Sequence, residues 1–257
     1  MPELPEVENA VRRLRNAATG QTIANVELLH PALERGISLS RLRSLRGARV
    51  RAVERRGKHQ LVTLDDGRVI HAHFRMTGDW RVDTVNDQLP RFARAFIAFT
   101  NGTRVVLDDP RALSTMEVHA ANAPPHLALG PEPSDHSLTA RSLHGALAKK
   151  RGPIKPVLLD QRMIAGLGNI YAAESLWHAR ISPATRASSL TQAQIKTLLA
   201  AIRRVIRRAT GARYTDRSVS RLAVYDRSGK ACRRCRTPIE RVVQAGRATY
   251  YCPGCQK

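Results

Sequence analysis

The chain has 257 residues, enough for one large domain or two ordinary domains with apolar cores. It carries 43 lysine and arginine residues against 21 acidic residues, a formal net charge of +22. Only seven of the 43 are lysine, and arginine pairs well with phosphate, so a nucleic acid is the first candidate partner. A genomic bias toward arginine and an anionic membrane surface are the alternatives. No run approaches the about 18 apolar residues of a membrane span, and no secretory signal is evident, so we expect a cytosolic protein.

The first half of the chain predicts a helix followed by strands. Apolar residues recur at helical spacing over residues 5–18, and Gly20 follows as a stop signal. From about residue 22 to residue 119, apolar and charged residues alternate, and the pairs of strands are separated by the turn sequences DDG and NG. Residues 1–121 are therefore predicted to form an antiparallel β-sandwich or barrel with a leading helix.

The second half of the chain predicts helices. The proline-rich stretch 122–135 is the natural linker, and residues 136–221 form the predicted helical domain. Helical spacing covers residues 137–150, 155–163, 169–179 and 191–211. From residue 222 onward we expect short strands around the cysteines. The predicted fold class is thus α+β, in three consecutive parts.

The four cysteines lie in the last 26 residues and predict a metal site. Two C-x2-C pairs are separated by sixteen residues, and they comprise Cys232, Cys235, Cys252 and Cys255. Two close pairs on turns can converge into a tetrahedral thiolate site for one structural zinc ion. Two disulfides are the alternative, which a cytosolic location disfavours. The nine histidines show no spacing typical of a metal site.

Three further features are ambiguous when each is read alone. The stretch DQRMIAGLGNIYAAES predicts a glycine-bearing turn before a helix that begins at Asn169. The free N–H groups at the start of such a helix suit a phosphate. An ordinary connection between two helices is the alternative. Lys58 reads as a solvated strand lysine and Arg111 as a turn residue. Arg247, between the cysteine pairs, reads as a solvated turn residue.

The N-terminal stretch MPELPEVENA permits two interpretations. Removal of Met1 would expose the secondary amine of Pro2. An ordinary α-amino group has a pKa of about 7.7, so part of such an amine is an unprotonated nucleophile at neutral pH. Such an amine forms a Schiff base, and Glu3 and Glu6 would supply carboxylates for acid–base catalysis. The alternative is a capped helix start with Pro5 in its first turn. The local sequence alone favours the interpretation as a capped helix start.

The order of these motifs resembles the formamidopyrimidine-DNA glycosylase family, which also contains endonuclease VIII. The matching motifs are PELPEVE, LGPEPSD, DQRMIAGLGNIYAAESL and GRATYYCPGCQK, and together they span the chain. The resemblance implies an N-terminal β-sandwich, a helix–two-turn–helix domain and a zinc finger, with damaged or abasic duplex DNA bound between the domains by a monomer.

The resemblance also assigns roles to residues. Pro2 would attack C1′ of a damaged nucleotide, Glu3 would be its acid–base partner, and Glu6 would position Pro2 or water. The phosphates flanking the extruded nucleotide would be held by Lys58, Asn169 and Arg247. After the imine forms, β- and then δ-elimination would cleave the DNA on both sides of the sugar.

Two departures from the family pattern concern lesion choice. In the family, three residues fill the space that the extruded nucleotide leaves in DNA, and Met76 and Arg111 match two of them. The third is the phenylalanine of the family motif D-P-R-R-F-G, which reads D-P-R-A-L-S here. Leu113 is therefore left as the apolar wedge. The loop between Gly211 and Val224 is shorter than the family's capping loop. One alternative is therefore a specificity like that of endonuclease VIII, for oxidised pyrimidines, hydantoins or abasic sites. Two alternatives of other classes are a non-catalytic protein that binds damaged DNA and a generic zinc-ribbon protein that binds nucleic acid.

Overall fold

The computed structural model describes residues 1–34, 36–211 and 222–257. These residues form two compact units, Met1–Leu127 and Ala128–Lys257. The predicted short loop between Gly211 and Val224 lies for the most part outside the described residues.

Among its described residues, the first unit contains two α-helices, a three-residue 3-10 helix (Pro31–Leu33) and eight strands. Helix α1 is followed by one strand, a short helix α2, and seven further strands. Two of the predicted turns are confirmed, with DDG between β3 and β4 and NG between β6 and β7. The elements are α1 (Leu4–Ala18), β1 (Ile23–Leu28), α2 (Leu39–Arg43), β2 (Val50–Arg56), β3 (His59–Leu64), β4 (Val69–His73), β5 (Asp79–Thr84), β6 (Ala93–Phe99), β7 (Thr103–Asp108) and β8 (Thr115–His119).

The strands form two antiparallel four-stranded sheets. One sheet has the strand order β1-β6-β7-β5 and the other has the order β2-β3-β4-β8. Alternate residues of both sheets join one apolar core, to which α1 contributes Val7, Ala10, Val11 and Leu14. Helix α1 packs mainly against β2 and β5. Because β2 and β5 are edge strands of the two sheets, the helix closes the sandwich along one side.

The second unit is helical and ends in a two-stranded sheet. The helices predicted over residues 169–179 and 191–211 are confirmed almost residue for residue, and the first helix of the unit is shorter than predicted. The elements are α3 (Ala140–Ala148), α4 (Ile154–Leu158), α5 (Asn169–Ala179), α6 (Gln192–Gly211), β9 (Glu240–Gln244) and β10 (Arg247–Tyr251). With the sandwich before it, this arrangement confirms the predicted α+β fold class.

Helix α4 departs from the prediction. Helical spacing extended to residue 163, but the helix ends at Leu158. The Asp160 carboxylate accepts a hydrogen bond from the N–H of Arg162, which favours a turn there. The Gln161 amide donates to the carbonyls of Leu159 and Leu167, and its oxygen accepts from the N–H of Gly166. These side-chain bonds replace helical ones and shape the turn that precedes α5.

Among the described residues, no helix is long and apolar enough to cross a membrane.

Candidate active site and nucleic-acid contacts

The start of α1 carries three of the predicted site residues. Pro2 is buried, and the side chains of Glu3 and Glu6 are 1% and 5% exposed. The Glu6 carboxylate accepts a hydrogen bond of 2.8 Å from the backbone N–H of Glu3, as part of a capping box. The two interpretations of this stretch are therefore compatible. The bonds that begin the helix also fix the backbone that follows Pro2.

Lys58 lies in a tight turn between β2 and β3, and not within a strand as the alternating charges suggested. Gly57, the other residue of the turn, has a φ of 58°, a conformation that glycine adopts without strain. The Lys58 side chain is only 7% exposed, so the prediction of a solvated lysine is wrong. The reason is the Gly57–Lys58 reversal, which the strand periodicity of the flanking residues concealed.

An arginine connects the turn of Lys58 to α1. Arg55 Nε donates to Glu8 Oε2 at 2.8 Å, and Arg55 Nη1 donates to the Gly57 carbonyl at 2.9 Å. Burial raises the pKa of Glu8, but the charges and hydrogen bonds of Arg55 and Arg12 outweigh it, so the pKa of Glu8 lies below its ordinary value. Glu8 is therefore ionised at neutral pH and holds Arg55 in place.

Two loops of the sandwich present the predicted wedge residues. Met76 lies between β4 and β5 and is 38% exposed, and Leu113 lies between β7 and β8 and is 43% exposed. Arg111 is also exposed. Ala112 has a φ of 51°, which keeps Arg111 and Leu113 on a sharply turned backbone.

The buried carboxylate of Asp109 ties these two loops together. It accepts hydrogen bonds from the N–H groups of Leu113 and Ser114, both 2.8 Å, and from the hydroxyls of Ser114 and Thr77. Burial raises the pKa of Asp109, but the hydrogen bonds from Thr77, Ser114 and Leu113 together bring that pKa below its ordinary value. The ionised carboxylate thus fixes the backbone on which Leu113 stands.

In the second unit, Asn169 and Arg247 lie on neighbouring segments. Asn169 is the first residue of α5, and its Nδ2 donates to the carbonyl of Ala248 at 2.9 Å. Arg247 is exposed at the first position of β10, directly after a tight turn in which Ala245 and Gly246 have φ values of 48° and 72°. The fold therefore brings together two of the residues predicted to hold phosphates.

A buried lysine supports this pair. Lys155 is 1% exposed, and its Nζ donates to Asn169 Oδ1 at 2.6 Å, to the Ala248 carbonyl at 3.1 Å and to Thr249 Oγ1 at 2.7 Å. One cation thus bonds the start of α5 and the strand that carries Arg247. Sequence reasoning missed Lys155 because it looked like an ordinary residue of α4.

The four cysteines converge as predicted. Their four Sγ atoms all lie within 4.8 Å of one another. The Sγ atoms of Cys235 and Cys252 are 3.4 Å apart, and those of Cys232 and Cys255 are 3.9 Å apart. Thiolates about 2.3 Å from a tetrahedral zinc ion lie about 3.8 Å from one another, so the set fits zinc. The Cys232 sulfur also accepts N–H bonds from Trp177 and Arg234, both 3.4 Å.

The cysteine cluster is joined to α5 through Trp177. Besides the Trp177 bond to Cys232, the guanidinium of Arg234 lies 4.1 Å from the centre of the indole ring and donates to the Trp177 carbonyl. Because α5 begins at Asn169 and carries Trp177, one helix links the cysteine site to the predicted phosphate contact.

Glu174, also on α5, was not singled out from the sequence. Its buried carboxylate accepts hydrogen bonds from three consecutive N–H groups, those of Ala223, Val224 and Tyr225, at 2.8 to 2.9 Å. Charge-assisted bonds of this kind are strong. The carboxylate therefore fixes the chain where it enters the cysteine-bearing part of the unit.

Family models match nearly the whole chain. The formamidopyrimidine-DNA glycosylase N-terminal domain matches residues 1–116, the H2TH domain of the same family matches residues 129–219, and the zinc finger found in FPG and IleRS matches residues 229–257. The chain belongs to the formamidopyrimidine-DNA glycosylase family. The predicted family, the enzyme class and the single structural zinc are thereby confirmed.

Individual relatives agree with this assignment. Formamidopyrimidine-DNA glycosylases from Exiguobacterium sibiricum and Chloroflexus aurantiacus are each 37% identical, over 274 and 278 residues, covering 100% of this chain and 99% and 98% of the relatives. The Lactococcus lactis enzyme, non-covalently bound to DNA containing an AP site, matches with a TM-score of 0.91 and 29% identity over 99% of both chains. MutM in complex with DNA containing carbocyclic 8-oxo-G matches with a TM-score of 0.90 and 28% identity over 100% of both chains.

Proposed function

We propose that this protein is a bifunctional DNA glycosylase and AP lyase of base excision repair, which excises oxidised bases from duplex DNA. The observation that carries the proposal is the start of α1, where buried Pro2 precedes two buried carboxylates and Glu6 binds the N–H of Glu3. The net charge of +22 supports a duplex partner, because neutralisation of phosphates dominates the affinity of proteins for DNA.

The first chemical step is attack by the Pro2 nitrogen after Met1 has been removed. The lone pair of the secondary amine forms a bond to C1′, and the bond between C1′ and the base breaks with its electron pair leaving on the base. The base takes up a proton as it leaves. Glu3 is the acid–base partner at the sugar, and Glu6 keeps the backbone of Glu3 in place.

The sugar ring then opens: the nitrogen loses its proton, the bond between C1′ and O4′ breaks, and O4′ takes up a proton, which leaves an iminium ion between the Pro2 nitrogen and C1′. The second step is elimination from this iminium ion. Loss of a proton from C2′ leads to breakage of the bond between C3′ and its phosphate oxygen. In the further elimination a proton is lost from C4′, and the bond between C5′ and its phosphate oxygen breaks, which releases the phosphate on the 5′ side. The positive charge on the Pro2 nitrogen accepts electron density in both eliminations. No further reactant is needed before water releases the sugar fragment.

The DNA is held through its phosphates and through the space that the extruded nucleotide leaves. We assign phosphate contacts to Lys58, Asn169 and Arg247, of which the last two are supported by the bonds of Lys155. Met76, Arg111 and Leu113 fill the vacated space, with Leu113 acting as the apolar wedge. The protein acts as a monomer on the chromosome, in the bacterial cytoplasm.

Borohydride trapping on a duplex with an abasic site tests this proposal. A covalent adduct should form with the native protein and disappear in Pro2→Gly and in a preparation that retains Met1. Pro5→Ala is the matched control, because it removes a proline from the same helix start and leaves the amine untouched. Binding without any adduct would instead support a non-catalytic binder of damaged DNA.

A lesion panel tests the substrate class separately. Single-turnover excision should be compared on duplexes that contain 8-oxoguanine, formamidopyrimidine, thymine glycol or a hydantoin. The aliphatic Leu113 in place of the family's aromatic wedge favours excision across several of these lesions over a strong preference for 8-oxoguanine. Fast excision of 8-oxoguanine alone would contradict that expectation while leaving the lyase assignment intact.

A further inference from the structure

Strand pairing in the first unit assembles a cluster of two histidines and one glutamate. Strands β4 and β8 are antiparallel neighbours, and His71 pairs directly with Glu117. His119 lies two residues beyond Glu117 and therefore on the same face of the sheet. The neighbouring residues Ile70, Met116 and Val118 enter the core, so the cluster lies on the outer face of this sheet.

The three side chains have the separations that a bound metal ion requires. His119 Nε2 lies 3.2 Å from Glu117 Oε2, and His71 Nδ1 lies 3.7 Å from the same oxygen. One donor atom from each residue lies within 4.8 Å of the others. Donor atoms about 2.0 to 2.2 Å from a tetrahedral ion lie about 3.3 to 3.6 Å apart, so small side-chain rotations suffice to close the site.

The hydrogen bonding of His71 leaves one ring nitrogen for a ligand. His71 Nε2 lies 2.8 Å from His59 Nδ1, a hydrogen bond that orients the ring. His71 Nδ1 is buried, and among the described residues it has no hydrogen-bond partner. Buried polar atoms are nearly always satisfied, and a metal ion held between this nitrogen and the Glu117 carboxylate oxygen, 3.7 Å away, would satisfy both. A histidine ligand whose second nitrogen is hydrogen-bonded is typical of metal sites.

We propose that His71, Glu117 and His119 form a second metal site, for a divalent first-row transition ion such as Zn²⁺. The donor set of two imidazoles and one carboxylate suits such ions and differs from the closed thiolate set of the zinc finger. The side chains are 11%, 43% and 25% exposed, so an ion can enter and retain water ligands. The ion joins β4 to β8 and stabilises the first unit.

Metal titration of the full chain, with its cysteine site already loaded with one zinc, tests the proposal. Isothermal titration with Zn²⁺ should show a second equivalent bound per chain. With Co²⁺ as the probe, the second equivalent should give visible d–d bands without additional thiolate-to-metal absorption in the near ultraviolet. Binding of the second equivalent should also raise the Tm of the protein.

Variants distinguish the cluster from adventitious surface binding. Glu117→Gln keeps the shape of the side chain and should weaken the second equivalent by at least about tenfold, as should His119→Ala. His126→Ala, which removes an exposed histidine outside the cluster but within the same unit, is the matched control and should bind as the native protein does. Absence of a second equivalent, or its persistence in Glu117→Gln and His119→Ala, would overturn the proposal.

Discussion

Arg55 and Glu8 form an ion pair that holds the turn bearing Lys58 against the helix that follows Pro2. Arg55 Nε donates to Glu8 at 2.8 Å, while Nη1 of the same guanidinium donates to Gly57 at 2.9 Å. The Arg55 side chain is 11% exposed, so this pair is screened far less than a surface ion pair. It couples two parts of the first unit that are more than forty residues apart in sequence.

The first prediction concerns this pair. Arg55→Met should reduce affinity for a duplex with an abasic-site analogue by about tenfold, because the turn of Lys58 loses a charge-assisted anchor. Binding can be measured by fluorescence anisotropy at fixed salt. Arg12→Ala removes the other partner of Glu8, an arginine that is 55% exposed, and should change the affinity little. Equal losses of DNA affinity in Arg55→Met and Arg12→Ala would contradict the explanation that the Arg55–Glu8 pair acts by holding the turn that bears Lys58.

The second prediction concerns the wedge. Leu113→Ala should lower single-turnover excision of a damaged base by about tenfold, because less apolar surface then fills the space left by the extruded nucleotide. Leu113→Phe restores the aromatic residue of the family and should retain or increase excision. Cleavage of a preformed abasic site, assayed in parallel, should change less in both variants. An unchanged excision rate in Leu113→Ala would remove the role assigned to this residue.

The third prediction concerns Lys155. Lys155→Met fills a similar volume but leaves Asn169 Oδ1, the Ala248 carbonyl and Thr249 Oγ1 without their shared donor. The Ala248 carbonyl keeps its bond from Asn169 Nδ2, but Thr249 Oγ1 and Asn169 Oδ1 lose their donor. Leaving a buried acceptor unsatisfied costs about 1 to 3 kcal/mol, so both stability and DNA affinity should fall. Chemical denaturation and anisotropy measure the two effects. Lys149→Met, at the end of α3, is the control and should behave as the native protein does.

The fourth prediction concerns the zinc finger. Removing zinc with a chelator should unfold the β9–β10 hairpin and lower DNA affinity, because Arg247 and Ala248 lie on that hairpin and metal binding supplies much of its folding free energy. Hydrogen exchange of residues 229–257 and anisotropy report the two effects. Readdition of Zn²⁺ should restore both. Full DNA affinity in the zinc-free protein would contradict the assigned contact of Arg247.

The fifth prediction is a pH dependence of stability. Burial, followed by the charges of Arg204, Arg234 and Arg208, lowers the pKa of His178 from 6.5 to about 4. The unfolded chain therefore takes up a proton between pH 6.5 and 4 while the folded chain does not, so stability is complete above this window and falls as the pH falls through it. His178→Gln should flatten this fall in denaturation experiments. NMR titration of His178 checks the pKa directly, and a value near 6.5 would contradict the explanation.

Sequence patterns predicted most elements because periodicity is local. The apolar spacing of α1 and the DDG and NG turns all follow from neighbouring residues, and the structure agrees. Helix α4 ends early because the side chains of Asp160 and Gln161 bind the backbone of the following turn, a competition that apolar spacing does not record.

The supporting residues of the site could not be predicted because they act through tertiary contacts. Lys155 gains its importance from Ala248 and Thr249, far along the chain, and Asp109 from Thr77. The cluster of His71, Glu117 and His119 exists only because β4 pairs with β8. No spacing of histidines along the sequence indicates it.

The Pro2 nitrogen is the nucleophile in the mechanism that we propose. Peptide mapping by mass spectrometry of the borohydride-trapped complex, after nuclease digestion, tests it most directly. We expect the reduced sugar to be attached to Pro2 in the N-terminal peptide and to no lysine. Attachment to Lys58, Lys155 or another lysine in the native protein would contradict it.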